Sequence, residues 1–176
     1  MPDPQYPPSS PQNERLSQVG RLAHWWSRLS RQLAGGLMNR QSEEDATFRA
    51  LFSHTPHPIV VQREGIVLRA NTAAAHLLGY ESPTLLEGVD LRRHCADEAA
   101  RLQFEARLNS SRSMGLGQPL PPVMYTLATL TGEQLHVRVS GTLAAWQGGV
   151  AVFSHFIDET AAVRSSQALK RTESLM

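Results

Sequence analysis

The spacing of hydrophobic residues in the first quarter of the chain predicts one amphipathic helix behind a disordered tail. Residues 1–14 carry five prolines among polar residues and cannot bury enough apolar surface to fold. A helical pattern of apolar residues follows this tail and is interrupted at Gly35-Gly36, so the helix is expected within residues 15–41. Its apolar residues recur at steps of three and four, which places them on one face: Leu16, Val19, Leu22, Trp26, Leu29 and Leu33.

The polar side of this helix is compatible with two roles. Residues 15–40 hold five arginines and no acidic residue. We interpret the segment as a dimerisation or packing helix whose arginines are solvated. The alternative is a helix over residues 15–33 that rests on an anionic membrane surface, with Trp25 and Trp26 at the interface.

From Ser42 onward, helical and strand patterns follow one another. Alternation of apolar and polar residues predicts strands, as in Leu135, Val137 and Val139, while prolines and glycines mark turns. The expected elements are a helix from 42, a hairpin of strands 58–61 and 66–69, a helix at 72–78, short turns over 81–95, a helix at 97–108, a loop over 110–122, strands at 123–130, 135–143 and 150–157, and a helix opened by Asp158.

Two strands separated from three by helices favour one five-stranded antiparallel sheet with the helices on one face, an α+β fold flanked by N-terminal and C-terminal helices. The space between sheet and helices is the natural place for a ligand. Only Tyr125 offers a hydroxyl there, which favours an apolar ligand or none. The predicted lining is otherwise apolar: Val60, Val67, Leu77, Leu91, Phe104, Leu108, Tyr125, Leu127, Val137, Val139 and Val152.

Composition narrows the function classes. The chain has 176 residues, a formal net charge of +1 and one cysteine, Cys95. The near-neutral balance gives no global field for nucleic acid, and a single thiol excludes an internal disulfide and a multi-thiolate metal site. The sequence has neither a run of about 18 apolar residues nor a secretory signal, so we expect a cytoplasmic protein.

An ordered series of short motifs between residues 43 and 160 resembles the PAS sensor domain. Cys95 replaces an expected proline in this series, and Glu159 replaces the usual isoleucine. The residues that carry the resemblance are, in chain order, Phe48, Leu51 and Phe52, Pro58-Ile59-Val60-Val61, the strand from Gly65 to Asn71, Ala73-Ala74, Leu77-Leu78, Gly79-Tyr80, Leu86-Glu87-Gly88, His94-Cys95-Ala96-Asp97, Thr131-Gly132-Glu133 and Asp158-Glu159-Thr160.

The resemblance implies a sensory and dimerisation module at residues 42–160 of a bacterial signal-transduction protein, followed by the start of an output linker helix at 161–176. In relatives such a helix leads to a histidine kinase of a two-component system or to a cyclic-di-GMP enzyme. The resemblance also implies a homodimer that relays ligand or partner state through Asp158 and Thr160. The alternative is a pure protein-interaction module without a bound ligand.

Two further residues are expected to be architectural. Asn71 would lie at the corner between the second strand and the following helix, where its amide can satisfy unpaired backbone groups. Gly79 would end that helix. The alanines between them allow the helix to lie close to the sheet.

No catalytic role is expected, because the chain has no P-loop, zinc-binding spacing, nucleophile elbow or paired catalytic carboxylates. His54 and His57 are followed by prolines and a strand, unlike the phospho-accepting helix of a kinase. Haem is not expected, since residues 97–110 contain no histidine; His94 is interpreted as a surface or capping residue. Flavin photochemistry is not expected either. Arg93 and His94 could lower the thiol pKa of Cys95, but an unreactive cysteine is the simpler interpretation.

Overall fold

The computed structural model describes residues 43–174. The predicted disordered tail at 1–14 and the predicted amphipathic helix at 15–41, with its alternative membrane contact at 15–33, lie outside the described residues. The last two positions of the predicted linker helix also lie outside them.

Helices occupy the segments in which prolines, glycines and capping residues predicted them. The elements are α1 (Glu43–His54), α2 (Thr72–Leu78), α3 (Pro83–Leu86), a 3₁₀ helix (Leu91–His94), α4 (Glu98–Ser111) and α5 (Thr160–Ser174). Asp97 caps α4 by accepting a hydrogen bond from the amide of Ala100 at 2.8 Å. Gly79 ends α2 in the left-handed conformation, with φ of 88°.

The strands form one antiparallel sheet in the order β2-β1-β5-β4-β3. Their bounds are β1 (Ile59–Arg63), β2 (Ile66–Ala70), β3 (Pro119–Ala128), β4 (Gln134–Trp146) and β5 (Gly149–Asp158). The expected α+β fold with a five-stranded antiparallel sheet is confirmed. Strand β5 lies between β1 and β4 and joins the two halves of the chain.

The third strand begins earlier than the sequence indicated. Residues 119–122 were expected to belong to a loop because of their prolines, yet β3 starts at Pro119 and Leu120 pairs with Gly141. The register shifts between Leu120 and Val123, which spans the two consecutive prolines. Proline lacks the N–H that a central strand needs, but β3 is an edge strand with a bulge at this point, so the prolines are tolerated.

The sheet separates two hydrophobic clusters. Along β1, Val60 belongs to a cluster shared with α2, while Ile59 and Val61 belong to a cluster shared with α1. Alternate side chains of a strand point to opposite faces, so α1 lies on the face opposite α2. We use the terms inner face for the face that carries Val60 and outer face for the one that carries Val61.

Aromatic residues fix α1 on the outer face. Phe48 and Phe52 pack at a ring distance of 5.5 Å, and Phe48 reaches Trp146 at 6.1 Å. Trp146 in turn packs edge-on against Phe153 of β5 at 5.4 Å. This stack spans the end of the sheet where β4 turns into β5, and it leaves the inner face to α2, α3 and α4.

Candidate functional site

Nine of the eleven predicted pocket residues lie together between the inner face and the helices. Leu77 and Phe104 are only partly buried and pack against this cluster, whereas the other seven are buried within it. The nine residues are Val60, Val67, Leu77, Leu91, Phe104, Tyr125, Leu127, Val137 and Val139. The remaining two, Leu108 and Val152, are buried elsewhere on the inner face and line a separate pocket.

Tyr125 brings one polar atom into the apolar cluster. Its side chain is 3% exposed, and its hydroxyl has no hydrogen-bond partner among the described residues. Burial raises the pKa of Tyr125 to about 12, so the hydroxyl keeps its proton at neutral pH. Phe104 of α4 packs edge-on against this ring at 6.2 Å. Tyr125 is therefore a neutral donor without an acceptor.

A pocket of about 240 Å³ lies between the C-terminal part of α4 and the ends of β1, β4 and β5. Its apolar walls are formed by Leu108, Met114, Leu143 and Val152. Leu108, Leu143 and Val152 are buried, so the pocket reaches the inner face of the sheet rather than a shallow groove on it.

Polar side chains enter the same pocket. Gln62 is 4% exposed, and its Oε1 accepts a hydrogen bond from the amide of Gly65 at 2.7 Å. Ser111, at the end of α4, donates its hydroxyl to the carbonyl of Leu108 at 2.7 Å. Neither residue was predicted from the sequence to line a pocket. The signal for Gln62 was present, because it follows Val60 by two positions in a strand and therefore shares its inward orientation.

Charged side chains line the pocket where it opens. Glu64 and Arg112 form an ion pair that joins the β1–β2 turn to the end of α4. Hydrogen bonding to Arg112 lowers the pKa of Glu64, which keeps its carboxylate ionised at neutral pH. Arg63 instead donates to backbone carbonyls, from Nε to Val150 at 3.1 Å and from Nη2 to Trp146 at 2.6 Å. No carboxylate among the described side chains of residues 46–172 forms an ion pair with Arg63.

An arginine from the 3₁₀ helix holds the hairpin beside the pocket. Arg92 donates from Nε to Glu105 of α4 at 2.5 Å and from Nη1 to Asp90 at 3.0 Å. The same Nη1 donates to the carbonyl of Glu64 at 3.2 Å. At Gly65, with φ of 88°, a Cβ atom would lie 2.8 Å from Nη1 of Arg92, so glycine allows this close approach.

His94 is buried, which corrects its assignment as a surface or capping residue. It is 3% exposed, and its Nδ1 lies 2.7 Å from the carbonyl of Ala128. Because a carbonyl can only accept, Nδ1 carries the proton and Nε2 accepts from the Tyr80 hydroxyl at 2.9 Å. Burial lowers the pKa of His94, so the ring is neutral at pH 7 and links the end of α2 to β3.

Cys95 follows as a half-buried thiol. Burial, followed by the charge of Asp90, raises its pKa. The prediction that Arg93 and His94 could lower the pKa of the Cys95 thiol is therefore wrong. His94 is neutral, and the loss of water around the thiol has the larger effect on its pKa. Cys95 is a poor nucleophile at neutral pH.

Asn71 joins three separate backbone segments at the corner between β2 and α2. Its Oδ1 accepts from the amides of Ala74 at 2.9 Å and Ile59 at 3.0 Å, while Nδ2 donates to the carbonyl of His57 at 2.7 Å. The side chain is 1% exposed. One amide thus caps α2 and also ties it to the start of β1, which is the role that the sequence predicted for this residue type.

The junction of β5 and α5 is tied to the start of β4. The amide of Thr160 donates to Oδ1 of Asp158 at 2.9 Å, and the hydroxyl of Thr160 accepts from the amide of His136 at 2.9 Å. The amide of Glu159 donates to the carbonyl of His136 at 2.8 Å. We refer to Asp158, Glu159, Thr160 and their partners His136 and Arg138 as the output joint.

A bidentate ion pair between Arg138 and Glu159 strengthens the output joint. Arg138 donates from Nε to Oε1 of Glu159 at 2.6 Å and from Nη2 to Oε2 at 2.9 Å. Glu159 was noted in the sequence only as a departure from the usual isoleucine. Its partner lies 21 residues away in β4, and no local pattern in the sequence indicated that the two would meet.

Beyond the output joint, α5 makes few contacts with the sheet. Nη2 of Arg164 lies 3.7 Å from Oε1 of Glu133 and donates to the carbonyl of Gln134 at 3.2 Å. Leu169 is 67% exposed. Among residues 43–174, no helix has the length and apolar character needed to cross a membrane.

Comparison with known proteins identifies the fold. Residues 46–111 match a family model described as PAS domain. No curated protein matches the chain in sequence. The resemblance to the PAS family on which the sequence analysis relied is confirmed.

Solved structures of PAS domains are similar to this chain in fold. The PAS domain of an HTR-like protein from Haloarcula marismortui is 16% identical, with a TM-score of 0.54 over 66% of this chain and 92% of that one. A PAS domain from a two-component sensor histidine kinase is 18% identical, with a TM-score of 0.53 over 67% and 99%. The PAS domain, in complex with ethanol, of a LuxR-family transcriptional regulator from Burkholderia thailandensis is 16% identical, with a TM-score of 0.50 over 63% and 96%.

Proposed function

We infer that this chain, whose residues 46–111 belong to the PAS family, is a sensory and dimerisation module of a bacterial, cytoplasmic signal-transduction protein. The family match and the similar fold of a PAS domain from a sensor histidine kinase support this inference. The output is proposed to be a histidine kinase of a two-component system or a cyclic-di-GMP enzyme, on the same polypeptide or on a partner.

The observation that carries the proposal is the course of strand β5. Val152, near its beginning, forms a wall of the pocket, and Asp158, at its end, belongs to the output joint. Asp158 lies six residue steps along the strand from Val152, which corresponds to about 20 Å. The strand that lines the pocket therefore leads almost directly into α5, which begins at Thr160.

The relay is proposed to be a shift between two positions of α5. In the position seen here, the output joint holds the first turn of α5 against β4 through Thr160 and Glu159. A ligand changes this equilibrium only if it binds one position more tightly than the other. Widening or twisting β5 at the pocket would alter its pairing with β4, and this pairing positions the partners of Thr160 and Glu159.

An exposed apolar residue of α5 supports a two-stranded assembly. Leu169 is 67% exposed, on a helix whose other residues, apart from half-buried Val163, are alanine or polar. A partner helix could cover such a residue. We propose a homodimer formed by residues 15–52 and by α5, in which α5 leads to the output domain.

A kinase fusion tests the relay. The full chain is joined through α5 to the catalytic core of a histidine kinase, with linkers that differ in length by one residue. Autophosphorylation should vary with a period of about 3.5 residues, because a helical relay depends on helix phase. Asp158→Ala should cost about 0.5–2 kcal/mol of local helix stability and should shift basal activity.

Ser166→Ala, on the exposed surface of α5, is the matched control and should leave basal activity unchanged. Activity that is insensitive to linker length, together with an unaltered response in Asp158→Ala, would leave Asp158 with a purely structural role and would contradict the relay.

A protein-interaction module without a ligand is the second candidate. It is supported by the dense packing of the cluster between sheet and helices, in which Val60, Ala74, Leu78 and Val137 are completely buried. In that case, the pocket would stay empty and the exposed surfaces would bind the partner. Ligand binding by the full chain, followed by calorimetry, distinguishes the two candidates.

A further inference from the structure

The pocket at the end of α4 combines an apolar wall with one buried, incompletely bonded amide. Gln62 is only 4% exposed to solvent, yet this residue lines the pocket. Its Oε1 is occupied by the amide of Gly65 at 2.7 Å, and this donor fixes which end of the carboxamide is oxygen. Among the described side chains of residues 46–172, Nε2 has no hydrogen-bond partner, and it is not one of the fully enclosed polar atoms, so it keeps access to the pocket.

This arrangement selects a ligand that carries a hydrogen-bond acceptor. Nε2 of Gln62 has donor capacity that no described side chain uses, and an acceptor on a ligand would take the place of water there. The hydroxyl of Ser111 donates to Leu108, so its oxygen retains the capacity to accept but supplies no donor to a ligand. Gln62 is thus a donor among the polar side chains of the pocket, whereas Ser111 is not.

The charges at the mouth favour an anion. Two guanidinium groups, Arg63 and Arg112, line the pocket against one carboxylate, Glu64. Glu64 and Arg112 form an ion pair, whereas Arg63 is bonded only to backbone carbonyls. Among the described side chains of residues 46–172, no carboxylate neutralises the positive charge of Arg63, and its Nη1 remains available as a donor.

The volume limits the size of the ligand. The pocket measures about 240 Å³. Drug-sized ligands commonly need about 300–1,000 Å³. The pocket therefore suits a short molecule that has a polar head and an apolar chain of a few carbons.

We propose that this pocket binds a small aliphatic monocarboxylate, about the size of hexanoate. The carboxylate accepts from Nε2 of Gln62 and from the guanidinium of Arg63, and the alkyl chain lies against Leu108, Leu143 and Val152. This assignment rests on the proposed sensory function and replaces the apolar ligand that the sequence favoured. The difference arises from Gln62, which the sequence analysis had left out of the pocket lining.

Isothermal titration calorimetry on the full chain tests the assignment with three probes of equal chain length. Hexanoate should bind at least tenfold more tightly than 1-hexanol, and hexylamine should not bind, because the head group is recognised as an anion. Methyl chemical shifts of Leu108, Leu143 and Val152 should change on addition of hexanoate. Equal affinity for hexanoate and 1-hexanol would overturn the proposal, as would shifts confined to residues outside the pocket.

Two variants test the residues that hold the carboxylate. Gln62→Glu keeps an oxygen for the amide of Gly65 but replaces the donor with a negative charge, so hexanoate affinity should fall at least tenfold. Gln103→Glu adds the same charge on the exposed side of α4 and should leave affinity unchanged. Arg63→Met should weaken hexanoate at least fivefold but not 1-hexanol, and it keeps the test valid if Gln62→Glu does not fold. Hexanoate affinity unchanged in both pocket variants would overturn the proposal.

The binding test and the relay test fail independently. Hexanoate binding without any change in the kinase fusion would support the ligand class and contradict the relay. A kinase fusion that depends on linker length and on Asp158, but does not bind hexanoate, would support the relay and contradict the ligand class.

Discussion

Replacing Asn71 with alanine removes the contacts that hold the β2–α2 corner together. The substitution deletes three hydrogen bonds, to the amides of Ala74 and Ile59 and to the carbonyl of His57. Asn71 is 1% exposed, so water cannot readily replace the lost partners. The side chain that remains fills less space, but the main loss is polar.

The magnitude follows from these three bonds. Loss of the helix cap at Ala74 costs about 1 kcal/mol. The amide of Ile59, left buried without a partner, costs about 1–3 kcal/mol, and the partly buried carbonyl of His57 adds about 1 kcal/mol. We therefore expect Asn71→Ala to lower the free energy of unfolding by about 3–5 kcal/mol. Asn71→Ser keeps a hydroxyl for Ala74 and should recover about 1 kcal/mol of that loss.

Urea denaturation followed by circular dichroism measures the change. Thr72→Ala, at the exposed first position of α2, is the control and should change stability by less than about 0.5 kcal/mol. If Asn71→Ala does not fold, Asn71→Ser supplies the measurement, with an expected loss of about 2–4 kcal/mol. If Asn71→Ala lowered the free energy of unfolding by less than about 1 kcal/mol, the argument would be refuted. Other atoms or water would then satisfy the backbone groups that the Asn71 amide contacts.

Three further predictions concern the core, the pH dependence and the assembly. Phe104→Ala should lower the free energy of unfolding by about 3 kcal/mol in urea denaturation, at the low end for phenylalanine because the ring is only partly buried; a loss below about 1 kcal/mol would contradict this packing. Burial and nearby His57 lower the pKa of His155 to about 4, so below about pH 6.5 the unfolded chain binds a proton that the folded chain does not. The free energy of unfolding should therefore fall by up to about 3 kcal/mol as the pH decreases from 6.5 to 4. His155→Gln should reduce this dependence of unfolding free energy on pH, and an unchanged dependence in that variant would contradict the role of His155. Deletion of residues 1–41 should weaken the homodimer in analytical ultracentrifugation, and an unaltered dimer would exclude that segment as the interface.

Local patterns predicted most of the fold because they report which residues share a face. The alternation in β4, the turn before β2 and the capping residues each depend on neighbours in sequence. For the same reason, Asn71 could be placed at its corner from the abrupt change of a strand into an alanine-rich helix. The strand order was expected only as one antiparallel sheet, since pairing between distant strands leaves no periodic trace.

The parts that were missed depend on distant partners or on position within the sheet. Pro121 and Pro122 argued against a strand, but the rule that excludes proline applies to central strands and β3 lies at an edge. His94 has polar partners at positions 80 and 128 that allow its burial. Glu159, just after β5, meets Arg138 in the adjacent strand β4. In each case the residue type was visible, whereas its partner was not.

The central claim, that β5 relays the state of the pocket to α5, is tested most directly by hydrogen exchange. Val152→Leu adds one methylene to the pocket wall in β5, and Val123→Leu adds the same group to β3, which does not lead into α5. Exchange of the amides of residues 161–170 is measured by mass spectrometry in the full chain at matched global stability. The account predicts at least a threefold change in their exchange rates in Val152→Leu and none in Val123→Leu. Equal rates in both variants and in the unmodified chain would contradict it.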